Sequence, residues 1–253
     1  MGGRAKLSPL ESFQLNMEDA HHLVRLAQGF TNQRVRRMRR ELRERVGVAL
    51  KVPAKRRDDL DCVESNDIVV VLKPDSALSR SDFGNHRPLL RQALVAACAA
   101  TETYLADKVM ESMSSLTSSK DKAPDRLKSL NMTVGSWLYL EQRYKYRRRG
   151  LHEQVIGPHV AEMASTAPNQ VGMLLSMIGV NSWTRSMDHH RSVEKGDSEA
   201  FLRRVTERRN KIVHTGDRQG RGRAPLTITE VEEDLAGLES VVHAVEKMVA
   251  ARH

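Results

Sequence analysis

Residues 227 to 250 read TITEVEEDLAGLESVVHAVEKMVA, and this stretch gives the strongest indication of the fold. Its apolar residues recur at alternating steps of four and three, at Val231, Leu235, Leu238, Val242, Val245 and Val249. Such spacing lines one face of a helix, which must then be buried against other helices. Thr229 and Glu232 match a capping box at its start. The pattern predicts an amphipathic C-terminal helix in an all-α fold.

A second helix is predicted just before it, capped by Asp197 or Ser198 and closed by Gly216. Its apolar residues are Phe201, Leu202, Val205 and Ile212. An ideal helix turns about 100° per residue, which places Arg209 about 40° from Val205 and inside the apolar arc. The register therefore predicts that a guanidinium is presented to an interior or to a cleft.

His214 follows in the last turn of the same helix, where an imidazole can take up and release a proton near neutral pH. Five steps along the helix put His214 about 140° around the axis from Arg209. For both side chains to meet one phosphate, the helix must unwind near Thr215 and Gly216, or the site must be shared between two chains.

An earlier helix is predicted near Pro88, at a position where a missing N–H is tolerated. Val95, Cys98, Leu105 and Val109 form one apolar stripe of this alanine-rich segment. Glu102 lies within the stripe, on or beside the buried face. A carboxylate there needs a partner.

The segment Arg209-Asn210-Lys211-Ile212-Val213-His214 resembles the Arg-x4-6-His signature of HEPN domains, in the form where a polar residue follows the arginine. Arg208 also satisfies the signature, with five intervening residues. The context is similar as well, because the motif ends a helix, precedes a capped C-terminal helix and follows the helix that carries Glu102. The resemblance covers about residues 85 to 250 and implies a HEPN-like helical bundle.

HEPN proteins with this motif are often metal-independent endoribonucleases that dimerise and bring two motifs into one cleft. The resemblance thus implies an RNA substrate, a homodimer, no cofactor, and a role as a toxin or defence effector with an antitoxin as a possible partner. Arg209 would bind the scissile phosphate, His214 would move the proton and Glu102 would orient one of them. Asn210 would add a donor, and Arg208 and Lys211 would help to bind the substrate.

Each of these residues also has a structural interpretation. Arg209 and Glu102 can form a buried bridge that only stabilises the fold, His214 can cap its helix, and a HEPN-like fold can act in binding alone.

The N-terminal 80 residues lie outside the resemblance, and we expect a basic helical extension and connector at 1–80 followed by the helical domain at 81–253. Residues 1–57 hold 14 Lys/Arg and 5 Asp/Glu, whereas the rest of the chain is balanced. A helix from Met17 to about Val46 is predicted, with Leu23, Leu26 and Phe30 on its apolar stripe. Its arginine run includes Arg36, Arg37 and Arg40. Two interpretations of the run have about equal weight, contact with nucleic acid and a solvated face of the helix.

The remaining features narrow the class of protein. The longest apolar run, 93–100, is too short to cross a bilayer, so we expect no membrane association and a cytoplasmic protein. Cys62 and Cys98 lie far apart without zinc-ligand spacing, which predicts free thiols. A helical stretch is expected over 125–149, and the run 68–72 could form one strand.

Overall fold

The computed structural model describes residues 7–31, 40–49, 51–59, 85–118, 123–143 and 147–251. These residues are predominantly helical, as the sequence predicts, and their strands are limited to one short hairpin. Arg36, Arg37 and the run 68–72 lie outside the described residues. Within the described ranges, no helix combines the length and the apolar character that crossing a bilayer requires.

The described α-helices up to residue 151 are α1 (Pro9–Thr31), α2 (Arg40–Ala49), α3 (Arg87–Leu116), α4 (Asp125–Lys128), α5 (Val134–Arg143) and α6 (Arg147–Leu151). A short 3-10 helix (Ala54–Asp59) follows α2, and a π-helical turn (His152–Ile156) follows α6. The later elements are α7 (Gly157–Met163), α8 (Pro168–Met177), α9 (Trp183–Arg191), α10 (Asp197–Thr215), β1 (Arg218–Gln219), β2 (Gly222–Arg223) and α11 (Ile228–Ala250).

Helix α3 occupies the centre of the fold and contacts α1, α7, α8, α10 and α11. Pro88 lies in its first turn, as predicted. Its alanines allow neighbours to approach closely, and Ala93, Ala97 and Ala100 are buried together with Cys98, Leu105 and Val109. Because α3 is enclosed by several helices, a polar group on its buried side must find its partner within the protein.

Helix α1 belongs to the same hydrophobic core as the helices after residue 85. Its buried residues are Phe13, Met17, Ala20, Val24 and Ala27. Leu23 of the predicted stripe is partly buried and packs against this core, so the stripe lies beside the buried face and not at its centre. The predicted helix from Met17 to Val46 begins earlier, at Pro9, and its described parts are two helices, α1 and α2.

The directions of the three long helices follow from their side-chain contacts. His21 of α1 contacts Glu239 of α11, while Gln28, further along α1, donates to Glu232, so these helices are antiparallel. In contrast, α3 and α11 run in the same direction, because Cys98 lies near Asp234 and Tyr104 donates to Glu246. Helices α1 and α3 are therefore antiparallel, and α1 ends where α3 begins.

The stretch 125–149 does not form one helix. Its described residues form α4, α5 and α6, and Leu127 and Leu140 are buried while Val134, Trp137, Leu138 and Tyr139 are exposed. These four apolar side chains of α5 are thus directed to solvent.

Helix α11 buries all six residues of the predicted apolar repeat. Its capping box, however, is formed by Thr227 and Glu230, not by Thr229 and Glu232. The Glu230 N–H donates to the Thr227 hydroxyl at 3.2 Å, and the Thr227 N–H donates to the Glu230 carboxylate at 2.7 Å. The sequence TITE places two threonines close together, and the helix begins one residue after the first.

Candidate functional site

Glu102 and Arg209 form the ion pair around which the predicted site is built. The Arg209 guanidinium donates from Nη2 to Glu102 Oε2 at 3.2 Å, joining α10 to the central helix α3. The Arg209 side chain is 27% exposed and the Glu102 side chain is 16% exposed. The inward register of Arg209 and the need of Glu102 for a partner were both inferred from helix periodicity, and this contact satisfies both.

Glu102 has a second polar neighbour besides Arg209. The Thr166 N–H, in the connection between α7 and α8, lies 3.4 Å from Glu102 Oε1, and Thr206 of α10 donates to the Thr166 hydroxyl at 2.9 Å. Burial raises the pKa of the Glu102 carboxyl above its usual range, and the positive charge of Arg209 offsets part of that effect. The carboxylate is thus stabilised mainly by a single cation.

Cys98 lies one helical turn before Glu102 and is fully buried. Burial raises the pKa of its thiol to about 12, and the neighbouring Glu102 carboxylate adds to this rise. A thiol with so high a pKa stays protonated at neutral pH and is a poor nucleophile.

Asn210 orients the guanidinium from the other side, because Arg209 donates from Nη1 to Asn210 Oδ1 at 3.1 Å. The buried Nε of Arg209 has no hydrogen-bond partner among the described residues. The contacts of Arg209 are therefore made by its two terminal nitrogens, and part of the side chain remains accessible to solvent.

His214 is exposed in the last turn of α10 and forms no hydrogen bond or ion pair with the described residues. The helix is regular through Thr215, and Gly216 ends it in the left-handed conformation with φ 62°. The helix thus unwinds only after His214, and Arg209 faces α3 while His214 faces solvent. The sequence leaves two arrangements open, an unwound helix end or a site shared between two chains. Because the helix stays regular past His214, the shared site is the arrangement that stays a prediction.

Arg208 makes internal contacts instead of facing the same space as Arg209. It donates from Nη2 to Asp217 Oδ2 at 2.9 Å and to the Pro225 carbonyl at 2.8 Å. Asp217 also accepts from Arg91 Nε at 2.9 Å, and the Asp217 and Arg91 side chains are 1% and 5% exposed. Of the two arginines that satisfy the motif, Arg209 is therefore the one beside Glu102.

The two other predicted binding residues that the structure describes lie on the surface. Lys211 is exposed on α10 between Arg209 and His214. Arg40 is exposed on α2 and contacts Glu44 at 3.3 Å, an exposed pair one helical turn apart. Whether these cations meet RNA remains a prediction.

The start of α10 is fixed by a residue that the sequence does not reveal. Gly196 is in the cap position, and Asp188 of α9 accepts from the Gly196 N–H at 2.8 Å and from the Ser198 N–H at 3.0 Å. Asp197 instead accepts from the Glu194 N–H at 3.2 Å. The expected cap at Asp197 or Ser198 is thus replaced by a carboxylate from the preceding helix.

One surface depression is lined by none of the predicted site residues. It has a volume of about 610 Å³, is open to solvent, and is lined by Arg126, Gly172, Trp183 and Glu199 among others. Among the described residues, no group of three or more His, Cys, Asp and Glu side chains is placed to hold a metal ion.

Asp217, Arg91 and Thr166 are the residues near the motif that sequence reasoning missed. The pair Gly216-Asp217 directly after the helix is the local sequence signal, since Asp tolerates better than most residues the left-handed conformation, φ 60°, that it adopts there. Comparisons with protein-family models, with curated proteins and with solved structures find no significant match to this chain.

Proposed function

We propose that this chain is a HEPN-type endoribonuclease that cleaves RNA without a metal ion, acts as a homodimer, and serves as a toxin or defence effector. One observation carries the proposal: α10 presents a guanidinium oriented by Glu102 at 3.2 Å and, five residues later, an exposed histidine. The resemblance of residues 209 to 214 to the Arg-x4-6-His signature assigns the same two residues to the phosphate and to the proton.

RNA supplies its own nucleophile, the 2′-hydroxyl, so the protein needs only a proton acceptor, a proton donor and a cation for the phosphate. His214 accepts the proton of the 2′-hydroxyl, the 2′-oxygen attacks the neighbouring phosphorus, and the bond from phosphorus to the 5′-oxygen breaks. The leaving 5′-oxygen takes a proton from an imidazolium. The products are a 2′,3′-cyclic phosphate and a 5′-hydroxyl. The planar guanidinium of Arg209 stabilises the charge that develops on the phosphate oxygens.

Two chains are required because of the angle between the residues. Within one regular helix Arg209 and His214 point about 140° apart, so one phosphate does not reach both in the same chain. In a two-fold dimer, the His214 of one chain can approach the Arg209 of the other. Because Glu102 and Asn210 already hold Arg209, dimerisation would complete the site without rearranging the guanidinium.

The direct test is cleavage of end-labelled RNA by purified protein in the presence of EDTA. We expect products ending in a cyclic phosphate, and we expect Arg209→Ala and His214→Ala to reduce the rate by about 10²-fold or more. Arg185→Ala and His22→Ala are the matched controls, since both residues are exposed on helices and should leave the rate unchanged. Intact RNA, or equal cleavage by all four variants, would reject the nuclease.

A mixing experiment tests the shared site. Arg209→Ala chains and His214→Ala chains are each inactive alone, but a dimer containing one of each retains one site with both residues. Random exchange should restore about a quarter of the wild-type activity if the site is composed of both chains. No recovery, with exchange verified by differently tagged chains, would contradict the shared site.

A second function is favoured by the concentration of positive charge in residues 1–57, which hold 14 Lys/Arg and 5 Asp/Glu. In this alternative the protein binds nucleic acid through its arginine-rich segment and does not cleave it. Binding of RNA with no cleavage, and no effect of Arg209→Ala on affinity, would favour it over the nuclease.

A further inference from the structure

The hairpin between α10 and α11 carries a concentrated positive charge that no side chain in the described part of the chain neutralises. Arg218 and Arg223 face each other across the two antiparallel strands, and Arg221 lies in the connecting turn. All three are exposed, and none forms an ion pair with the described residues. The only acidic residue in 216–226 is Asp217, which is buried.

This pairing is unfavourable for the isolated protein. Side chains directly opposite each other in an antiparallel pair lie about 5 Å apart at Cβ, and like charges in that position are destabilising. The hairpin nonetheless places two guanidinium groups opposite each other in a pair of strands only two residues long. An anion between or beside them would remove the repulsion.

The base of the hairpin is anchored firmly. Arg91 donates to Asp217 at 2.9 Å and to the Ala224 carbonyl at 2.7 Å, so one buried guanidinium joins both ends. Arg208 adds bonds to Asp217 and to the Pro225 carbonyl, and the Ala224 N–H donates to the Asp217 carbonyl at 2.8 Å. The exposed arginines are thus presented from a fixed position, and the first of them, Arg218, is four residues after His214.

We propose that this hairpin binds the phosphate backbone of RNA and holds the strand beside His214. The inference rests on the proposed function for the identity of the polyanion, and it assigns to the hairpin a substrate-binding role. Guanidinium groups bind phosphate oxygens through paired hydrogen bonds. The hairpin contains only Arg, Gln and Gly, so it lacks the apolar side chains that insert into lipid.

The test measures RNA affinity as a function of salt, using the full chain with His214→Ala so that no substrate is consumed. In that background, R218Q/R221Q/R223Q should weaken binding of a fluorescent single-stranded RNA by about 10-fold or more and should reduce the salt slope by about 2, since each phosphate contact on a single strand contributes about 0.7. The triple Arg→Lys variant keeps the charges and should recover most of the slope.

The control variant is R126Q/R185Q/R203Q, which removes three positive charges from exposed positions on α4, α9 and α10. It should keep the wild-type salt slope. Circular dichroism should show that the hairpin glutamine variant melts no lower than wild type, because its arginines face each other and form no ion pair with the described residues. The control variant should melt close to wild type, because the pair that it loses between Arg203 and Glu199 is exposed. Equal weakening by both glutamine variants would show an effect of net charge alone and would overturn the proposal. So would binding to anionic vesicles or to an acidic protein without binding to RNA.

Failure of this inference can be separated from failure of the nuclease. If wild-type protein cleaves RNA and the hairpin variant has an unchanged KM, the hairpin proposal is wrong and the nuclease stands. If nothing cleaves but binding and salt slope respond to the hairpin variant as expected, the nuclease is wrong and the hairpin stands.

Discussion

Glu102 and Arg209, 107 residues apart in the sequence, meet at 3.2 Å between the central helix α3 and α10, the helix whose last turn carries His214. The contact is made on the side of α10 that also buries Leu202, Val205 and Ile212, and it supplies a cation to a partly buried carboxylate. The ion pair is consistent with both the catalytic and the structural interpretation of these residues. Activity and stability measurements on the same variants distinguish the two.

Removing Arg209 should destabilise the fold in a pH-dependent way. Burial raises the pKa of Glu102 above its usual value of 4.5, so the stability that this group contributes falls as pH rises through the raised pKa. Arg209 limits that loss. Arg209→Ala should therefore be near wild type at about pH 4, where Glu102 is protonated, and less stable by about 1 to 3 kcal/mol at neutral pH.

Urea unfolding at both pH values measures the effect, and Glu102→Gln/Arg209→Ala is the control. Glutamine carries no charge at any pH, so this double variant should lose the additional pH dependence. An Arg209→Ala penalty of the same size at both pH values would contradict the assigned role of Glu102.

Asp217→Asn should destabilise the protein by about 3 kcal/mol or more, because it leaves the buried Arg91 guanidinium without a counter-charge. Chemical unfolding measures this loss. Trypsin should also cut the folded variant faster after Arg218, Arg221 or Arg223, since the hairpin loses its anchor.

Glu199→Gln provides the comparison for Asp217→Asn. Glu199 pairs with Arg203, and both are substantially exposed, so this change should cost less than about 1 kcal/mol. Similar losses from the two variants, or an unchanged tryptic pattern for Asp217→Asn, would show that the buried carboxylate does not hold the hairpin.

The helical class and the inward face of α10 could be predicted because their apolar repeats are long and regular. The buried stripe of α1 could not be predicted, because it includes Ala20 and Ala27. In the sequence these small residues are a weaker apolar signal than Leu23 and Leu26. The cap of α11 was displaced by two residues because Thr227 and Thr229 satisfy the same local rule.

In the candidate site, the residues that belong to a local sequence pattern could be predicted, and the contacts between different helices could not. Arg209 and His214 form a local motif, and Glu102 interrupts a local stripe, so all three could be found by position. The bonds from Arg91 to Asp217 and from Asp188 to the start of α10 join different helices. A charged residue in a polar stretch gives no sign that its partner lies in another helix.

Asp188→Asn should weaken the start of α10. Although burial opposes ionisation, hydrogen bonds from Ser198 and Gly196 lower the pKa of the Asp188 carboxyl below its usual value of 3.8. A lowered pKa contributes stability that is present above that value and is lost as pH falls through the folded pKa. We expect a loss of about 1 kcal/mol at neutral pH.

This difference from wild type should disappear on acidification, because asparagine resembles the protonated acid. Thermal unfolding across the acid range measures it. Asp197→Asn is the control at an exposed position of the same helix start and should have a smaller effect. A deficit for Asp188→Asn that persists in acid would argue against the carboxylate as the cap.

Cys98 should resist alkylation in the folded protein. Its thiol is fully buried, and burial raises its pKa to about 12, so both access and thiolate formation are suppressed. Mass spectrometry of peptides after brief iodoacetamide treatment should find Cys98 unmodified in buffer and modified in denaturant. Equal modification under the two conditions would mean that the centre of α3 opens readily.

The antiparallel packing of α1 on α3 determines how the arginine-rich segment can be removed. Truncation from the N-terminus would delete Phe13 and Met17 from the core and would mix a folding defect with any loss of affinity. Thr31 and Arg87 lie at the same end of the bundle, so residues 32–84 can instead be excised and the ends rejoined with a short Gly/Ser linker. A shortened chain that melts like the full-length protein would separate the segment's contribution to RNA affinity from that of the helical body.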